Sequence, residues 1–254
     1  MTGSRPRVVW ITGAGKGIGR ALALKCAEEG FTVVVSARTA SDLAALETQA
    51  RNMRGTIHAF PLDITDALLV AAVVVDVERT LGPIDLAVLN AGTHLPTPIV
   101  DFTPETVRAL FEVNVMGTVN CLSALFVKRE ARRGCRIAVV ASLAGYRGLP
   151  GASAYGGTKA ALINMCEALK PECEMFGISL NVINPGFVKT PLTEKNDFPM
   201  PFLISAEAAA ERIFSSLEVT RFETTFPTRF ALIIKMLRLL PDRLYFPITR
   251  RILR

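Results

Sequence analysis

Tyr155 and Lys159 stand four residues apart in "YGGTK", inside a helical pattern, so both side chains fall on one helix face. A phenol of ordinary pKa ~10 exchanges its proton poorly near neutrality. An ammonium beside it favours phenolate and lowers that pKa. The pair therefore suits giving a proton to an oxygen that is gaining electron density, or taking one back in reverse. Ser142 lies thirteen residues before Tyr155, at the end of an apolar run. A hydroxyl there could orient and polarise a carbonyl oxygen. On its own, a Tyr–Lys pair at this spacing is equally an ordinary helix contact. Ser142 in register gives the chemical reading its weight.

A second constellation is "TGAGKGIG", Thr12 to Gly19. It follows an apolar run and precedes a helical pattern. Gly13 and Gly17 allow a tight turn, and Gly19 allows close helix–strand approach. The helix N-terminus then offers N–H groups and a positive dipole to a pyrophosphate. Gly15, Lys16 and Ile18 complete the candidate loop. A Gly-rich turn without a ligand is the plain alternative, and the strand–turn–helix context argues against it. The second strand ends in "SARTASDL", where an acid would bind a ribose 2′-OH. Ala37 takes that place, and Arg38 follows with a planar fork suited to a 2′-phosphate. Lys16 could approach the same phosphate; otherwise the two are solvated surface cations. Asp42, the nearest acid, falls in the next helix near its N-cap.

The elements that must position these residues alternate along the chain. Strands are expected at Val8–Ile11, Thr32–Ser36, Thr56–Phe60, Leu86–Leu89, Arg136–Ala141 and Ser179–Ile183. Helices are expected at Gly19–Glu29, Ala40–Asn52, Ala67–Thr80, Glu105–Arg132 and Tyr155–Glu174. Short apolar strands alternating with longer helices imply βαβ units, a parallel sheet and helices on both faces. One doubly wound α/β domain, Rossmann-like, is the economical fold. Pro171 should kink or end its helix near Lys170.

With these residues in place the chain resembles the short-chain dehydrogenase/reductase family, whose loop has the form T-G-x-x-x-G-x-G. Further matches run in order: Asp63 in "LDIT", then "NAG" (Asn90, Ala91, Gly92), Asn114, Ser142, Tyr155 with Lys159, and "NPGFVKT" from Asn184 to Thr190. The resemblance covers roughly residues 7–225. "LNAG" stands for the commoner "NNAG" and "YGGTK" for "YSASK"; neither change removes a functional side chain. The resemblance implies hydride transfer between NADP(H) and a carbonyl or secondary alcohol. It gives Tyr155 the acid–base role, Lys159 a bond to the nicotinamide ribose, and Asn114 a helix irregularity with a water leading to Lys159. Asp63 and Ile64 would meet the adenine, and Pro185, Gly186, Val188 and Thr190 the nicotinamide and phosphates. The Lys16/Arg38 pair is similar to that of NADPH-dependent carbonyl reductases. The family also implies a homodimer or homotetramer through the two longest helices. His94, which follows "NAG", could face the pocket, but nothing requires it in catalysis and it reads as a polar loop residue.

Composition narrows the classes. Half of the 254 residues are hydrophobic, which excludes a disordered chain. Five scattered cysteines and two histidines form no metal-ligand spacing, and a reducing, cytoplasmic setting fits them. The first apolar run begins too early for a signal peptide, and no run approaches the ~18 apolar residues of a membrane span. The net charge of +6 resides in residues 226–254, with seven basic side chains against Asp242; the other 22 basic and 22 acidic residues cancel. Nucleic acid is therefore not an implied partner.

Residues 187–205 occupy the place of a substrate lid. Phe198, Met200, Phe202 and Leu203 could line an apolar pocket or anchor the lid to the core. With Leu149, they favour a hydrophobic ketone. In 226–254, a helix over Phe230–Leu240 sets Lys235 and Arg238 on one side near Ala231 and apolar residues elsewhere. This basic extension could pack on its own domain, on a partner subunit or on an anionic membrane surface. A reductase of lipid-like ketones at a membrane is the alternative function, and a non-catalytic dinucleotide sensor another. Methyl transfer on a similar fold would need no such tyrosine.

Overall fold

The computed structural model describes residues 7–195, 198–217, 219 and 221–251. Residues 196–197 of the expected lid and 252–254 of the basic segment, Arg254 among them, lie outside the described residues. Seven parallel strands form one sheet in the order β3-β2-β1-β4-β5-β6-β7. They are β1 Val8–Thr12, β2 Thr32–Ser36, β3 Thr56–Ala59, β4 Ile84–Leu89, β5 Arg136–Val140, β6 Ser179–Pro185 and β7 Glu223–Phe226. The order reverses between β1 and β4, which opens a crevice at their C-terminal ends, the usual ligand position in such sheets.

Alternation along each strand builds two cores. Val9 and Ile11 point to the face covered by α1 Gly17–Glu28, α2 Ala40–Gln49 and α7 Ala206–Leu217. Val8 and Trp10 point to the face covered by α3 Ala67–Leu81, α5 Gly117–Phe126 and α6 Ser153–Met175. Local signals start several helices. Asp66 accepts the Leu69 N–H at 2.9 Å to cap α3, and Thr103 caps α4, Pro104–Phe111, which has proline in its first turn. Ser205 caps α7, a helix absent from the expectations above.

Several boundaries differ from expectation. The helix expected to continue to Arg132 stops at Phe126. Arg132 instead folds back, buried, to donate to the Leu125 carbonyl and pair with Glu78 at 2.9 Å. Pro171 neither ends nor breaks α6, which continues to Met175. Glu167 and Pro171 both lie on the exposed side, where the carbonyl deprived of its donor faces water. The span Pro104–Phe126, 23 residues, is long and apolar enough to cross a membrane. Here it is a layer helix, with Leu110, Cys121, Leu122 and Leu125 buried against the domain.

The basic segment begins inside the sheet: Phe226 closes β7, and α8, Thr228–Leu239, buries Ala231 and Ile234 in the domain core. Pro241 separates α8 from α9, Asp242–Arg250.

Candidate active site

The turn after β1 is built for close backbone approach. Gly13 has φ +66°, and a Cβ there would lie 2.7 Å from the Ala91 Cα. A Cβ on Gly19 would lie 2.5 Å from the Gly13 carbonyl oxygen. Thr12 Oγ1 accepts the Asn90 and Ala91 N–H groups at 3.1 Å, and the Asn90 amide donates to the Thr12 and Gly13 carbonyls. The "NAG" segment is thus the wall that holds the Gly-rich turn. Lys16 precedes α1 with no side-chain cap, and the first turn of α1 carries no acid. Uncapped N–H groups, the dipole and a cradle without Cβ atoms fit a pyrophosphate. Ile18 packs against the α1 core, and Thr190 abuts Gly17. Gly19→Ala is expected to cost about 1–3 kcal/mol through overpacking and to weaken dinucleotide binding. Thermal melts with and without the nucleotide check this; an unchanged melting point and shift would show that the turn has slack.

Ala37, at the end of β2, faces Gly15, and the Asp42 carboxylate stands beside it, 3.4 Å from where a Gly15 Cβ would lie. Arg38 is exposed, and its charge helps hold the Asp63 carboxyl below its usual range. The larger cause there is the Thr65 N–H, which Asp63 accepts at 3.0 Å. Ile64 is buried against Gly117. Asp42 is in the first turn of α2, as expected, but its carboxylate also reaches Lys16 at 3.6 Å. That contact joins segments the sequence keeps apart.

The candidate catalytic residues converge from three elements. Ser142 follows β5, accepting the Ala144 N–H at 3.1 Å and donating to the Pro185 carbonyl at 3.4 Å. Tyr155 and Lys159 share the inner face of α6. Burial pushes the Tyr155 phenol above its ordinary pKa, and a hydrogen bond with Ser142 opposes this. Lys159 is 4% exposed, and its ammonium donates to the Val140 carbonyl at 2.9 Å. Burial lowers its pKa from 10.5 to about 8. The expected lowering of the Tyr155 pKa by Lys159 is therefore absent in this state: Nζ lies 5.7 Å from the ring centre and is directed to Val140.

Asn114 sits in a π-helical turn, Glu112–Met116, between α4 and α5. Its fully buried amide accepts from the Thr93 N–H at 2.7 Å and donates at 3.0 Å to the Thr93 carbonyl and Thr158 Oγ1. The side chain thus joins the "NAG" loop to α6, and a Cβ on Gly92 would stand 3.6 Å from Lys159 Nζ.

Other features escape the sequence. His94, read as a loop residue, lies edge-on to Tyr155 with ring centres 4.7 Å apart. Gly186 is needed by a residue far downstream: its Cβ would meet Phe230 of α8 at 2.7 Å. Phe230 stacks on Phe187 at 5.5 Å and Phe202 at 6.0 Å, and Phe198 packs on Phe187 at 5.9 Å. The aromatics of the segment expected to be a lid therefore anchor that segment to α8, while Phe198, Phe202 and Leu203 keep exposed faces. Val188 is buried and bridges Ile204. Arg147, five residues past Ser142, donates to the Leu237 and Leu240 carbonyls and pairs with Asp242 at 2.7 Å, tying the loop after β5 to the C-terminal helices.

The short chain dehydrogenase family model matches residues 7–199. An uncharacterized oxidoreductase of Myxococcus xanthus is 36% identical over 248 residues, 97% of either chain. The 3-oxoacyl-[acyl-carrier-protein] reductase of Thermotoga maritima is 32% identical over 85% of this chain and 84% of its own. A short-chain dehydrogenase structure from Streptomyces avermitilis superposes with a TM-score of 0.83 at 27% identity, covering 98% of this chain and 96% of that one. Both full-length matches include the C-terminal helices, so the likeness extends past the expected limit near residue 225. The chain belongs to the short-chain dehydrogenase/reductase family, oxidoreductases that work with a nicotinamide dinucleotide.

Proposed function

We propose that the chain reduces a hydrophobic ketone with NADPH, using Tyr155 as the proton donor. The observation that carries this reading is the meeting of Ser142, Tyr155 and Lys159 at the C-terminal edge of the sheet, beside the Gly-rich turn. When bound, the nicotinamide supplies the hydride. Tyr155 gives its phenolic proton to the substrate oxygen, and the Ser142 hydroxyl donates a hydrogen bond to that oxygen. Lys159, released from Val140, would hold the nicotinamide ribose and stabilise the phenolate left behind. Asn114 keeps Thr93 and α6 in register. The reductase name of the Thermotoga maritima relative supports the reducing direction. The lid aromatics and Leu149 support an apolar substrate, and the family supports a homodimer or homotetramer.

For the cofactor, Ala37 offers no acid to a 2′-OH, and Arg38 and Lys16 supply the cations that a 2′-phosphate would take. Asp42 competes for Lys16, but an exposed ion pair is worth only ~0–1 kcal/mol and yields readily. Activity with a panel of ketones and keto-lipids, each with NADPH and NADH, tests the reading. NADPH is expected to be preferred. Arg38→Asp is expected to raise the KM for NADPH about 10- to 100-fold, from the ~1.5–3 kcal/mol of a charge-assisted bond, with little change for NADH. A wild type that prefers NADH would overturn the cofactor assignment.

A further inference from the structure

We propose that the outer face of α8 and α9 docks on an anionic lipid surface. Ala231 and Ile234 face the core, and the cations of α8 lie exposed on its flank: Lys235 pairs with Glu223, and Arg238 lies 5.9 Å from the Tyr146 ring centre. The outer side is apolar, with Leu232 at 61%, Met236 at 62% and Leu239 at 84% exposure. In α9, Leu244 and Phe246 are likewise exposed. Around them stand Arg229, Arg243, Arg250 and Arg251, exposed and in no ion pair among the described residues. Apolar side chains rimmed by arginines are the composition of an interfacial helix, with the cations at the headgroups.

The charge selects the occupant. All of the chain's net +6 lies in residues 226–254, so pairing this face with a second copy would oppose like charges. An anionic lipid surface neutralises them. The helices are too short to cross a bilayer: 12 residues of α8 reach only about 18 Å. Their orientation is fixed relative to the active site. Arg147 holds the end of α8, and its guanidinium lies 3.8 Å from the ring centre of Tyr245, whose hydroxyl donates to the Gly148 carbonyl. Docking would also bring the lid close to the lipid, because Phe230 stacks on Phe187 and Phe202. The inference rests on this face and not on the reductase reading, so either can fail alone.

Co-sedimentation of the full chain with vesicles tests it, using phosphatidylcholine alone and phosphatidylcholine mixed with phosphatidylglycerol. Binding is expected only with phosphatidylglycerol, and it should weaken as salt rises from about 0.05 to 0.5 M. The triple substitution Leu232→Ser, Met236→Ser, Leu239→Ser is expected to cut the bound fraction about tenfold or more. Its circular dichroism spectrum and melting point should match wild type, which reports that it folds. Arg243→Glu with Arg250→Glu, which leaves the apolar side chains in place, should abolish the phosphatidylglycerol dependence. A wild type that stays in the supernatant with both vesicles overturns the proposal. So does binding that neither variant changes, or light scattering that shows wild type paired through this face and the triple variant monomeric.

Discussion

Tyr155→Phe is expected to lower kcat for ketone reduction by about 10²- to 10⁴-fold, the usual share of a positioned acid, while leaving NADPH affinity essentially unchanged. The substitution removes one oxygen. The ring stays in place, edge-on to His94 at 4.7 Å. The lost hydrogen bond with Ser142 costs only about 0.5–1.5 kcal/mol of stability. Steady-state kinetics with a fluorescence titration of NADPH separate the two effects, and retained turnover would sink the mechanism. A pH dependence accompanies it. Burial raises the phenol's pKa, so reduction finds the proton in place at neutral pH. Alcohol oxidation needs the phenolate, and its rate should climb with pH.

Lys159→Met is expected to abolish most activity and yet raise stability at neutral pH. Lys159 is 4% exposed, and burial depresses its pKa from 10.5 to about 8. Such a fall corresponds to roughly 3 kcal/mol of disfavoured charge. The sign follows from proton binding. Between pH 8 and 10.5 the unfolded chain holds this proton and the folded chain does not, so this group's contribution to stability rises with pH. Below pH 8 the whole penalty is present. Methionine removes it, and the bond to the Val140 carbonyl is lost in exchange. A rise in Tm of about 2–6 °C is expected at pH 7, shrinking toward pH 10.5. Turnover should fall by about 10²-fold or more, because the charge that stabilises the phenolate is gone. Melts at both pH values check this. A lower Tm at pH 7 would mean that the Val140 bond outweighs desolvation.

The sheet, the Gly-rich turn and the Ser142–Tyr155–Lys159 set were legible in the sequence because each rests on local pattern. Strand and helix periods are read within a few residues, and parallel βαβ units oblige successive strand ends to share one edge. Ser142, Asn90 and the Gly13 turn all follow strands, so their convergence follows from topology. What only the tertiary structure decided lies between segments distant in the chain. Gly186 is glycine because Phe230 occupies the space where its Cβ would stand. Asp42 is drawn from its helix turn to Lys16, and the Lys159 ammonium, over the Tyr155 ring, gives its hydrogen bond to the Val140 carbonyl. β7 has only four residues and depends on β6 beside it. The α8 wheel has one narrow cationic side, but its direction was settled by Glu223 and Tyr146, which hold Lys235 and Arg238 on the flank beside β7 while Leu232, Met236 and Leu239 stay outermost. Periodicity along a helix carries its amphipathic pattern; the direction that pattern faces depends on where the rest of the chain provides partners.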